Sequence, residues 1–188
     1  LLISSFIFSL DYSLSFDGED LDDDIDYIDF GNILQMNESF SVGGWVENYG
    51  SNTTTIMSKR SLEGSYFGWQ LSYENDGSMG LYIQEDVSGG ALKATTEQIY
   101  NEWFHITAVF DAGNSIKLFI NGELVATTSV ELSYLSNNNA PFLISSLQEP
   151  GSWVWDGLLD ELFIYDDALS DSEVFDIFTN NIDVNDIN

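Results

Sequence analysis

The sequence predicts an all-β protein, an antiparallel β-sandwich with one short C-terminal helix. Three observations carry that prediction: apolar residues alternate at period 2 almost throughout, turn residues punctuate the chain at short intervals, and a helical apolar face occurs once, near the C-terminus. A length of 188 residues suits one domain with a sizeable core. The content of hydrophobic (44%) and aromatic (14%) residues excludes intrinsic disorder.

The first element is the longest. From Phe6 to Phe16 the even positions read Phe6, Phe8, Leu10, Tyr12, Leu14 and Phe16, against mostly polar odd positions, which predicts one half-buried strand. Strands then follow at 27–30, 40–46, 54–58, 66–73, 78–84, 91–95, 103–110, 115–120, 123–129, 142–145 and 158–165. Asn121-Gly122, between Lys117–Ile120 and Glu123–Ala126, demands a type I′ hairpin because both turn residues accept positive φ. Ser170-Asp171-Ser172-Glu173 is a capping box with Ser170 as N-cap, and Val174, Phe175, Ile177 and Phe178 supply the apolar face of the helix it starts. The expected division is an extra apolar strand over 1–13, the sandwich over 14–181 and an acidic tail over 182–188.

Charge narrows the partners. Asp and Glu number 32 against four Lys and Arg, for a formal net charge of −28. Such a surface repels phosphate backbones and anionic lipid, so nucleic acid is excluded as a partner, and neutral sugars, divalent cations and basic proteins remain. No apolar run reaches 18 residues, so membrane insertion by a helix is not expected. There is no cysteine and therefore no disulfide. Sequons at Asn37-Glu38-Ser39 and Asn52-Thr53-Thr54 fall near predicted turns, where glycans could be attached.

Three segments resemble, in order, the laminin G-like group of the concanavalin A-like lectin/glucanase superfamily. They are Leu14-Ser15-Phe16-Asp17-Gly18 with Asp26–Phe30, then Trp103–Asp111 with Leu118–Ala126, and last Asp156–Tyr165 with Ala168–Glu173. Phe40–Val46 adds a fourth match, and the resemblance runs from about Leu14 to Asn180. It implies a jelly-roll sandwich and an extracellular or cell-surface setting, but no particular ligand, since sugar, protein and matrix binders share this scaffold. The acidic stretch Glu19–Ile25 and the residues before Phe16 have no family counterpart.

The resemblance also implies calcium. In the family the first and last strands lie together and an acidic residue at the Asp160 position commonly helps hold a structural Ca²⁺. Asp17, Asp26 and Asp160 are therefore the expected metal ligands, hard oxygen donors suited to a hard cation. For ligand contact the candidates are aromatic faces and rim amides: Trp153 and Trp155, which would point to one side of an extended segment, Tyr66 with Trp69 and Tyr73, and Asn138. Hydrolases of this fold carry Glu-x-Asp-x-(x)-Glu on one strand face; Glu74-Asn75-Asp76 starts such a pattern, but no Glu completes it, so no enzyme is expected. His105, the single histidine, is expected to pack within its strand.

Two functions follow as expectations. The first is a calcium-stabilised carbohydrate- or matrix-binding module with a glycan or an extracellular protein as partner. The alternative is a structural subunit of an extracellular filament or surface assembly. There the stripe Leu2, Phe6, Phe8 and Leu10 would be buried against a sheet edge of a second copy, giving a homo-oligomer or filament.

Overall fold

A computed structural model describes residues 13–18, 26–61, 67–85, 92–97, 99, 102–147 and 153–179. Among the described residues twelve strands precede one helix: β1 Leu14–Asp17, β2 Ile28–Asp29, β3 Phe40–Asn48, β4 Thr54–Ser61, β5 Phe67–Tyr73, β6 Met79–Gln84, β7 Leu92–Thr95, β8 Phe104–Asp111, β9 Ser115–Ile120, β10 Glu123–Ser129, β11 Leu143–Ile144, β12 Asp156–Tyr165 and α1 Asp171–Phe178. They form two antiparallel six-stranded sheets. Sheet I has the order β1-β12-β3-β8-β9-β10, and sheet II the order β2-β11-β4-β5-β6-β7. The predicted jelly-roll class of sandwich is what forms. The apolar stripe at Leu2, Phe6, Phe8 and Leu10 lies outside the described residues, as does the tail after Thr179.

Alternation explains which residues meet. Phe104, Ile106, Ala108 and Phe110 of β8 enter one core with Trp69, Leu71 and Tyr73 of β5, Met79, Leu81 and Ile83 of β6, and Leu159 of β12. Each such side chain contributes about 1.5–3 kcal/mol when fully buried. The opposite parity of β8 places His105, Thr107 and Val109 on the outer face of sheet I. There Val109, Phe119 and Phe163 form a second cluster with Leu169 and Val174 under α1. The helix begins as the capping box requires: Glu173 N–H donates to Ser170 Oγ at 3.3 Å, and Ser170 N–H donates to Glu173 Oε2 at 2.7 Å. The β9–β10 turn has Asn121 at φ 50° and Gly122 at φ 77°, the positive values a type I′ hairpin needs.

Candidate functional site

With sheet I roofed in part by α1, the chemically distinctive surface is the outer face of β4–β7. Strand registers set three rows of side chains across it: Thr55–Ser72–Gly80–Thr95, Ser58–Gln70–Tyr82–Lys93 and Arg60–Gly68–Gln84. No Asp or Glu occurs in β4, β5, β6 or β7, and three of the chain's four cationic residues, Lys59, Arg60 and Lys93, do. For a chain of net charge −28, that is a local reversal of composition.

The rows are tied into one hydrogen-bonded chain. Arg60 donates from Nη1 to Gln70 Oε1 and from Nη2 to Gln84 Oε1 at 2.5 Å. Gln70 Nε2 donates to Ser72 Oγ at 2.9 Å, and Ser72 Oγ lies 3.3 Å from Thr55 Oγ1. Each bond fixes a rotamer of its neighbour, so a planar guanidinium is held in one orientation by two amide oxygens. Ser58 Oγ donates to the Ser146 carbonyl at 2.8 Å, which draws the chain after β11 over this face. Thr55, Ser58, Gln70 and Ser72 are buried on a face that points away from the core, and Arg60 and Tyr82 are half-buried. The Arg60 row lies at the strand ends where the 62–66 and 86–91 connections attach, and these connections lie outside the described residues.

At the other end of the same face the chemistry is phenolic and acidic. The Tyr82 ring lies back over Gly80, whose missing Cβ would otherwise sit 2.7 Å from it, and Lys93 Nζ lies 5.5 Å from the ring centroid. Burial, then a hydrogen bond to Glu74 and its charge, hold the Tyr82 phenol well above its ordinary value. Trp153 flanks this end: its carbonyl accepts from Thr55 N–H at 2.7 Å, and its side chain is 45% exposed. Thr55 and Arg60 are about 16 Å apart along β4 by strand rise, so an exposed indole and a guanidinium bracket one extended surface.

Lys59 points the other way. It shares the core-side row with Trp69 and is fully buried, donating to Asn32 Oδ1 at 2.7 Å and the Ala140 carbonyl at 2.5 Å. Burial pushes its ammonium down to about 8. It pins the loops 30–39 and 135–141, which Gln35, Asn37 and Asn138 also join: Gln35 Nε2 donates to the Asn138 carbonyl at 3.1 Å, and Asn37 Nδ2 to the Leu135 carbonyl at 2.6 Å.

The sequence-derived ligand set is redistributed by this geometry. Asp17 pairs with Asp156 across β1–β12, not with Asp160, which lies four residues, or about 13 Å, further along the strand. Asp160 Oδ1 instead accepts from Glu161 N–H at 2.8 Å, and the Asp26 carbonyl accepts from Ser145 Oγ at 2.9 Å. Asp17 and Asp160 are therefore held apart along β12, and among the described residues no group of three His, Cys, Asp or Glu side chains is placed to hold a metal. The antiparallel register is the reason.

Trp153 and Trp155 also part company. Trp153 adopts φ 55°, so the segment is not extended; Trp155 turns into the core and meets Tyr73 edge-on at 6.2 Å. Trp69 and Tyr73 are core residues as well. Asn138 serves loop closure, and Tyr66 lies outside the described residues. Of the two sequons, Asn37 uses Nδ2 to donate to the Leu135 carbonyl and Asn137 Oδ1, both at 2.6 Å, which a glycan on that nitrogen would disrupt, whereas Asn52 is exposed in a bend. Sequence reasoning missed Arg60, Gln70 and Gln84. The available signal was the absence of carboxylates from 54–61, 67–73, 79–84 and 92–95.

Comparison with known proteins agrees with the architecture. A family model described as the concanavalin A-like lectin/glucanases superfamily matches residues 22–175. Botulinum neurotoxin type C of Clostridium botulinum C phage is 28% identical over 97% of this chain, which spans only 14% of that protein's length. Among solved structures, the binding domain of Paraclostridial Mosquitocidal Protein 1 superposes with a TM-score of 0.68 at 21% identity, over 90% of this chain and 43% of that one. The CBM40 of a Ruminococcus gnavus IT-sialidase, solved with α2,3-sialyllactose, gives 0.63 at 17% identity, over 76% and 83%.

Proposed function

The chain belongs to the concanavalin A-like lectin/glucanase superfamily, and from that premise we propose that it is an extracellular glycan-binding module whose contact surface is the outer face of β4–β7. The observation that carries the reading is the set of carboxylate-free strands β4–β7 with Arg60 oriented by Gln70 and Gln84. Glycans are recognised by fixed polar groups and by flat aromatic faces against sugar C–H bonds. Arg60, held in place by the buried Gln70 and Gln84, and Lys93 supply the first kind of group, and Trp153 the second. A guanidinium in a fixed plane favours a sugar carrying a carboxylate, which it meets with two parallel hydrogen bonds. The CBM40 relative, solved with a sialylated sugar, supports that preference by analogy.

The module is proposed as a binder rather than a catalyst. Glycoside hydrolysis needs two carboxylates across one cleft, and the rows of β4–β7 supply amides, hydroxyls and cations. Titration calorimetry with α2,3-sialyllactose, lactose and a neutral β-glucan tests the reading. Binding of the sialylated sugar, weakened by Arg60→Gln in a folded variant, supports it. Absence of binding to every glycan on a broad array, or binding indifferent to Arg60→Gln and Trp153→Ala alike, refutes it.

A further inference from the structure

We propose that the part of sheet I's outer face left uncovered by α1 is a second docking surface, and that its occupant is a basic protein segment presenting arginine or lysine side chains. Register places Asp160, Trp45 and His105 in one row across β12, β3 and β8, and this row is where the cover ends: the Phe178 ring of α1 lies 5.7 Å from the Trp45 ring and 6.0 Å from that of His105. Strand parity puts Glu47 on the same face, Tyr49 just after β3 reaches back to it, and Trp103, just before β8, continues the parity of His105. Trp103 is 39% exposed and Tyr49 52% exposed, large aromatic surfaces that the protein itself leaves in water.

These rings are interleaved with acid. The Tyr49 hydroxyl donates to Glu47 Oε2 at 3.0 Å, and the Trp45 side chain is hydrogen-bonded to Glu161. Glu161 sits at φ 46° in the bulge that interrupts the β12–β3 register, beside Asp160. Burial first, and the Asp160 charge second, push its carboxyl above its ordinary value. A cation arriving there relieves carboxylate repulsion and meets aromatic faces at once, the combination that binds guanidinium and ammonium groups.

The chain has no cation of its own to fill this role. Lys59, Arg60 and Lys93 belong to sheet II, and Lys117 is paired with Asp171 at 2.7 Å. His105, 2% exposed and held well below its usual value by burial, at about 4, is neutral; its Nδ1 has no hydrogen-bond partner among the described residues. A second copy carrying the same −28 charge would be repelled, so charge complementarity selects a basic partner.

The test uses fluorescence anisotropy with a labelled peptide of alternating arginine and glycine, at about 0.15 M and about 0.5 M salt to separate local contacts from the general field. Trp103→Ala with Tyr49→Ala leaves net charge unchanged and is expected to weaken binding by about tenfold. Glu47→Gln with Glu161→Gln is expected to weaken it comparably, while the exposed pair Glu97→Gln with Glu131→Gln, away from this surface, stays within about twofold. Melting curves confirm that each variant is folded. Equal loss for both carboxylate pairs with no effect of the aromatic pair overturns the proposal in favour of a delocalised field, and absence of binding at either salt overturns it outright. Concentration-dependent dimerisation abolished by the aromatic pair would assign the surface to a second copy instead. Because glycan binding is read on the opposite sheet with a different ligand, either result can fail alone.

Discussion

Sheets I and II have six strands each and share one core, yet their outer faces differ in kind. The strands of sheet I carry Asp17, Glu47, Asp111, Glu123, Asp156, Asp160 and Glu161 against the single cation Lys117. In β4–β7 of sheet II there is no carboxylate, and Arg60 and Lys93 lie on the outer face while Lys59 turns inward. The apolar residues that both sheets turn inward do not account for the difference, whereas on the outer face of β4–β7 Thr55, Ser58, Gln70 and Ser72 are buried, where an unpaired carboxylate would be costly. An acidic compositional bias enters wherever a solvated position tolerates it; its exclusion from one face marks a surface where negative charge would be costly. That is the expected condition of a face that receives electron-rich ligand oxygens, whereas an acid-rich, aromatic face suits a cation.

Reversing the charge of sheet II should produce the largest effect. Arg60→Glu is expected to reduce binding of a carboxylated glycan by about a hundredfold, since a charge-assisted pair is replaced by repulsion. Calorimetry reads it, with circular dichroism to show that the fold persists. If the variant binds as well as the parent, the contrast between the sheets has no role in glycan recognition.

The tryptophans separate the outer face from the core beneath it. Trp155→Ala, which empties a core position, is expected to cost about 3–5 kcal/mol in denaturant unfolding. Trp153→Ala should cost under about 0.5 kcal/mol of stability while weakening glycan binding several-fold. A reversed order would mean that the turn at Trp153 is not as described.

Each sheet also holds one buried titratable cation former, and the two lose their charge penalty at different pH. Lys59 in sheet II has a folded value of about 8, below the 10.5 of an unfolded lysine. The unfolded state therefore holds more protons between those values, and stability should rise with pH from about 8 towards 10, by up to about 1.4 kcal/mol per pH unit. His105 in sheet I has a folded value of about 4 against 6.5. Stability should fall as pH drops from 6.5 to about 4, with the same limiting slope of about 1.4 kcal/mol per unit. Lys59→Met should flatten only the alkaline rise and His105→Leu only the acid fall, as measured by urea unfolding across pH. Profiles unchanged by these substitutions would show that the two groups are solvated in the folded protein.

The smallest effect is expected at Asp160. Because Asp17 opposes Asp156 and Asp160 serves Glu161 N–H, Asp160→Asn should leave any response of the melting temperature to Ca²⁺ unaltered. A calcium shift that disappears in this variant would restore Asp160 as a ligand.

Local chemistry in the sequence determined the alternating strands of sheet I and sheet II, the positive-φ turn at Asn121-Gly122, the Ser170–Glu173 capping box and the inward parity of Phe104, Ile106, Ala108 and Phe110. Each depends on residues a few positions apart, where stereochemistry and hydrogen bonding act directly. Tertiary structure alone decided which distant residues share a face. Asp17 met Asp156 because of a register set by the whole β1–β12 pairing, and Trp155 entered the core because Trp153 left the extended region. Arg60, Gln70 and Gln84 became one site because three strands aligned them in rows. Period 2 specifies which side of a strand a residue takes but not its neighbour across the sheet; that is fixed only when the core packs and the strands choose their register.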